Sequence, residues 1–192
     1  MDYSFENLII SGISLMFVFI GGCFALWQYR KGLVYKRTEM VKDLIKNTRE
    51  NDKISMVMDI IDWNEDFIYN GKFYIKKATH RKELRDLSDE ELFRMIDYTL
   101  STFSYICYLR HVRTITRKEM QFFRYEIRRL VDNVHISNYL YSLYHWSMSL
   151  KVDMSFSYLV DYCLAEKLLH KEFKSLDDKN RFYQCYLYIP KV

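Results

Sequence analysis

Proline occurs once in the 192 residues, alanine three times and glycine five times. So little punctuation excludes a turn-rich β fold and favours long, uninterrupted helices. Three of the five glycines fall in one apolar run near the N-terminus, so no glycine-rich phosphate-binding loop can be assembled. The four cysteines, Cys23, Cys107, Cys163 and Cys185, stand far apart with no C-x-x-C spacing, which argues against a disulfide framework or a zinc site and suits a reducing compartment. The histidines, His80, His111, His135, His145 and His170, contain no H-x-x-x-H pair. Nothing in this inventory asks for a metal, a cofactor or a small-molecule ligand.

What the chain has in excess is aromatic, with seventeen Tyr and thirteen Phe, beside a modest formal charge of +4. From Leu8 to Trp27 it reads LIISGISLMFVFIGGCFALW, without one charged residue. At about 1.5 Å per helical residue such a run covers roughly 30 Å, the hydrocarbon thickness of a bilayer. Trp27 and Tyr29 stand where an interfacial aromatic belt belongs, followed by Arg30, Lys31, Lys36 and Arg37; upstream lie only Asp2 and Glu6. The positive-inside rule then puts the N-terminus outside the cell membrane and the rest in the cytoplasm. A cleaved signal peptide would want a basic start, a shorter apolar core and a small-x-small cleavage site, none of which fits. Gly12, Ser14, Gly21 and Gly22 are small enough to admit a neighbouring helix, though without a G-x-x-x-G pair.

The expected class is all-α: one transmembrane helix, then a cytoplasmic bundle of about five to six helices. The expected division is an extracytoplasmic 1–7, a transmembrane 8–28, a juxtamembrane helical stalk 29–50, a bundle 51–173 and an extended tail 174–192. In the stalk, Leu33, Val34, Met40, Val41, Leu44 and Ile45 recur near a seven-residue period, too briefly for a coiled coil, so packing on its own domain is preferred. Asn51 and Asp52 can cap a second helix, with Ile54, Val57, Met58 and Ile61 on one stripe and Met56, Ile60, Trp63 and Phe67 on another. Asp62 in so apolar a helix needs a partner, an Arg or a Tyr hydroxyl. Asn70-Gly71 suits a hairpin turn between 67–69 and 73–75 or a helix C-cap; because a lone two-stranded ribbon is marginal, the cap is preferred.

Two capping boxes follow, Ser88-Asp89-Glu90-Glu91 and Thr116-Arg117-Lys118-Glu119, each opening a helix. The first runs to about Leu109 as a buried core helix. The second buries Met120, Phe123, Ile127, Leu130 and Val131. A fifth helix over about 137–150 buries Tyr139, Leu140, Leu143 and Trp146. A sixth, from Asp153 to about His170, turns Phe156, Leu159, Val160 and Cys163 inward.

Two constellations could carry function. Arg110, Arg113, Arg117, Lys118, Arg124, Arg128 and Arg129 stand against only Glu119 and Glu126, a basic stripe suited to phosphate, to anionic lipid or to a protein partner, with nucleic acid the weakest of these. Arg129 and His135 have an Arg-x5-His spacing that resembles the loose Arg-x4–6-His pattern of the helical ribonucleases called HEPN domains. That resemblance implies a site in which Arg and His position and protonate a phosphodiester. It covers only these few residues, and the polar residue that usually follows the Arg is here Leu130. Absent stronger catalytic marks, the leading expectation is a non-catalytic interaction or scaffold protein, bound to the lipid bilayer and to a protein partner or a second copy of itself. A membrane-tethered ribonuclease effector, in stress or phage defence, is the alternative.

Overall fold

The structure is a computed structural model and describes residues 3–62, 68–69, 72–73, 88–169 and 173. Among them are six helices and one two-residue ladder. The helices are α1 (Tyr3–Glu50), α2 (Asp52–Asp62), α3 (Asp89–His111), α4 (Arg117–Asp132), α5 (Val134–Leu150) and α6 (Ser157–Ala165). The chain divides into two compact units, Met1–Lys42 and Asp43–Val192.

The first unit is a single apolar rod. An 18-residue window within its helix has mean hydropathy 1.6, and none of that window is buried inside the protein. Leu15 and Phe19 are 75% and 72% exposed. Length and composition make this the one helix, among the described residues, able to cross a membrane.

The second unit is built around α3, which packs against α2, α4 and α6. Its inward positions are Leu92, Met95, Ile96, Leu100, Phe103, Ile106 and Cys107, spaced three and four apart as a helix facing a core requires. Thr99 shares that face and satisfies its hydroxyl by donating to the Met95 carbonyl, 2.8 Å away. Ile54, Val57, Met58 and Ile61, the first expected stripe of α2, are buried and Ile60 widens that face, whereas Met56 of the second stripe is half-buried. Met120, Phe123, Ile127, Leu130 and Val131 bury one face of α4. Each such side chain contributes about 1.5–3 kcal/mol of burial, which holds together helices too short to be stable alone.

Helix starts follow the sequence closely. Asn51 Oδ1 accepts from Lys53 N at 3.0 Å and opens α2. Both capping boxes form: Ser88 N donates to Glu91 Oε2 (2.9 Å) and Thr116 N to Glu119 Oε2 (2.6 Å), while each hydroxyl accepts from the third amide at 3.2 Å. This bonding, led by the Ser88 amide, holds the Glu91 carboxyl below its ordinary value. The fifth helix begins earlier than expected, because Asn133 Oδ1 accepts from His135 N (3.0 Å) and Ile136 N (3.3 Å). Shifted in this way, α5 buries Ile136, Asn138, Tyr139 and Leu140, whereas Leu143 and Trp146 stay half-buried.

Helix stops were less legible. In a chain with so few glycines, α3, α5 and α6 end on residues with positive φ that are all cations: Arg113 (62°), Lys151 (55°) and Lys167 (57°). Each stop is closed by the same pair of backbone bonds, Thr114 N to Leu109 O with Arg113 N to Arg110 O in the first. Equivalent bonds run from Val152 N to Ser147 O and from Leu168 N to Cys163 O. The stop at Lys167 ends the sixth helix at Ala165, and it starts only at Ser157, after Phe156 with no side-chain cap, against the expected 153–170, although Phe156, Leu159, Val160 and Cys163 all face inward as expected.

The preferred C-cap near position 70 is overturned. Ile68 pairs with Phe73 and Tyr69 with Lys72 in an antiparallel ladder. A ribbon this short is marginal alone, but its second strand rests against α3, which supplies the missing support. Trp63, Phe67, His80, His170, Cys185 and the expected extended tail 174–192 lie outside the described residues.

Candidate functional site

The C-terminal end of the apolar run carries aromatics and cations together. The Trp27 ring stacks on Phe24 with centroids 5.7 Å apart, and the Lys31 ammonium lies 4.3 Å over the Trp27 ring. Tyr29, Arg30, Lys31 and Lys36 are exposed and Arg37 is half-buried. Aromatics and cations at the end of an apolar run are what a boundary between hydrocarbon and water favours, and Lys31 folds back over Trp27 here.

In the helical unit, folding sorts the basic stripe into paired and unpaired members. Arg124 reaches Glu166 at 3.3 Å and Arg117 reaches the same carboxylate at 4.0 Å, tying α4 to the end of α6. Arg128 pairs with Asp132 one turn on, at 3.3 Å. Arg110, Arg113 and Lys118 have no ion-pair partner among the described residues. The sorting could not be read from spacing, because Glu166 is 42 positions from Arg124 and only the α4–α6 arrangement brings them together.

Arg129 is the most constrained of the set. Its Nε donates to Asp62 Oδ1 at 2.9 Å, its Nη2 donates to Asp62 Oδ2, and its Nη1 to Glu126 Oε2. The fork is the two-point geometry that a guanidinium makes with a carboxylate. The Asp62 hydrogen bond, followed by the Glu126 and Asp62 charges, raises the Arg129 pKa above its already high value. The expectation that Asp62 finds an Arg is met, across 67 positions of sequence, but its side chain is about half exposed rather than buried. A guanidinium held by two carboxylates joins α2 to α4 and has its charge spent there. His135 enters α5 beside the Asn133 cap, donating its backbone N–H to that side chain. This geometry gives Arg129 a packing role between α2 and α4.

A feature that periodicity did not single out is an aromatic ridge on α3 and α6. Tyr105 stacks on Tyr108 (6.2 Å), Tyr108 meets Tyr158 edge-on (5.0 Å), and His111 tilts against Tyr158 (5.3 Å). The four rings are exposed. Phe122 and Tyr125 on α4 are also exposed, at 58% and 66%. The spacing of 105, 108 and 111 by threes was available in the sequence, but only packing could decide that this face looks outward.

The buried thiols offer no nucleophile. Burial and then the adjacent Cys163 hold the Cys107 thiol far above its ordinary value, and burial followed by the Asp132 charge pushes Cys163 up to about 12. Burial, then Glu166, likewise raises the half-buried Tyr162 to about 12. Among the described residues no three His, Cys, Asp or Glu side chains gather as a metal would require. No known protein family, curated protein or solved structure matches this chain.

Proposed function

We propose that this chain is a single-pass membrane protein whose helical unit faces the cytoplasm and works as an interaction module, binding a protein partner or a second copy of the chain. The observation that carries the reading is the exposure of the apolar rod. A core helix of the same composition would be buried, whereas this one presents Leu15, Phe17, Val18 and Phe19 to its surroundings. In water that surface is untenable, since a contiguous apolar patch of this extent marks a membrane or protein contact.

Orientation is supported by charge. Arg30, Lys31, Lys36 and Arg37 follow the run and only acids precede it, an asymmetry that keeps the following segment on the side of synthesis. The interaction role is supported by the exposed aromatic ridge and by Phe122 and Tyr125, since Tyr and Phe are the residue types enriched where proteins bind one another.

The reading is tested by fractionation and topology together. The intact chain stays in carbonate-washed membranes, and removal of residues 1–27 moves the remainder to the soluble fraction. Protease added outside intact cells leaves the helical unit whole. Digestion of that unit from outside would reverse the orientation, and carbonate extraction of the intact chain would remove the anchor.

A further inference from the structure

The segment joining α3 to α4 gathers positive charge in one place, part of it at positions that cost stability. No acidic residue lies between Asp97 and Glu119, whereas Arg110, Arg113, Arg117 and Lys118 fall within that interval. The Glu119 carboxylate is turned back onto the Thr116 amide. Arg117 and Lys118 fill the first two positions of α4, where the helix dipole opposes a cation and an acid would be stabilising. Arg113 holds a left-handed backbone position that glycine would occupy without strain. Arg110, Arg113 and Lys118 have no ion-pair partner among the described residues, and Arg117 touches Glu166 only at 4.0 Å from a largely exposed side chain. Val112, 44% exposed, stands between Arg110 and Arg113.

Cations interleaved with an exposed apolar side chain match the interfacial zone of an anionic leaflet, with phosphate and carboxylate at the surface and acyl chains just beneath. We propose that this corner, residues 110–118, docks on anionic lipid headgroups. The proposal rests on the anchor reading, which tethers the unit to such a surface. Docking by a tethered unit is intramolecular, so weak attraction per residue suffices. Each cation near an anionic surface favours the docked state about fivefold, so neutralising three of them lowers the docked-to-undocked ratio about 100-fold.

The test uses the full chain in nanodiscs, with zwitterionic lipid in one set and phosphatidylserine mixed into the other. Acetylation of Lys118 is followed by mass spectrometry, with Lys151 as an internal reference. Docking slows Lys118 acetylation about fivefold in the anionic discs and leaves Lys151 unchanged. The protection disappears in about 1 M salt, where the screening length falls to about 3 Å, and in the Arg110→Gln/Arg113→Gln chain. Equal Lys118 rates in the two lipids, in chains that enter the discs normally, overturn the docking and leave the anchor standing. Chains that never enter the discs overturn the anchor instead. Protection of Lys118 by added RNA in zwitterionic discs, as strong as that by anionic lipid, overturns the lipid assignment.

Discussion

Replacing Asp62 with Asn removes one charge from the fork that joins α2 to α4 while keeping its shape. The size of the effect follows from how wet the pair is. Two unit charges about 4 Å apart at an effective dielectric of 20 attract by about 4 kcal/mol, but desolvation cancels much of that. Hydrogen bonds to charged groups retain about 1.5–3 kcal/mol, and fully exposed pairs only about 0.2–1. Arg129 is 22% exposed and Asp62 49%, so the pair belongs between those limits, at about 1.5 kcal/mol. For a unit of this size that corresponds to a fall of about 3–6 °C in Tm, read by circular dichroism of the detergent-solubilised chain. Arg129→Gln is expected to cost about 2 kcal/mol, because it also leaves Asp62 and Glu126 as neighbouring carboxylates without their cation. In the double-mutant cycle the coupling should be about 1 kcal/mol. Coupling below about 0.3 kcal/mol would refute the assignment of Arg129 to packing, and would return its guanidinium to the list of groups available for a phosphate.

Two further perturbations test the electrostatics and the helix stops. Burial raises the Asp97 pKa above 3.8, so the folded state binds a proton at a higher pH than the unfolded chain does. Stability is therefore gained as pH falls from the raised value towards 3.8, and lost as pH rises through that window. Asp97→Asn should stabilise the unit at pH 7 by about 0.5 kcal/mol and flatten that part of the stability–pH curve; an unchanged curve would mean the carboxylate is solvated. Lys151→Gly relieves a left-handed backbone costing about 1 kcal/mol but gives back roughly half through a looser unfolded chain and a lost cation at the helix end. A net rise of about 1–2 °C in Tm is expected, and a fall as large as that for Asp62→Asn would show that Lys151 contributes something other than a helix stop.

The sequence by itself determined what depends on neighbours along the chain. The apolar run from Leu8 to Trp27 needs no tertiary partner to be too greasy for water. The capping boxes at Ser88 and Thr116 close over three residues, and the stripe of α4 repeats every turn, so each was legible from spacing alone. Helix stops were legible only in part, because glycine normally marks them and here Arg113, Lys151 and Lys167 take its place. The ladder at Ile68 and Phe73 was misjudged because its support comes from α3, which lies beyond any local window.

Apart from the local pair of Arg128 with Asp132, tertiary structure decided the fate of the basic stripe. Seven cations look equivalent in sequence, yet Asp62 and Glu166 reach three of them from distant helices and leave Arg110, Arg113 and Lys118 without an acid. The outward turn of Tyr105, Tyr108 and Tyr158 was settled in the same way, since a face is exposed only when no other helix covers it. The physical reason is range. Helix propensity, capping and hydropathy act within a turn or two, whereas ion pairing and burial depend on which helices the packed core brings side by side.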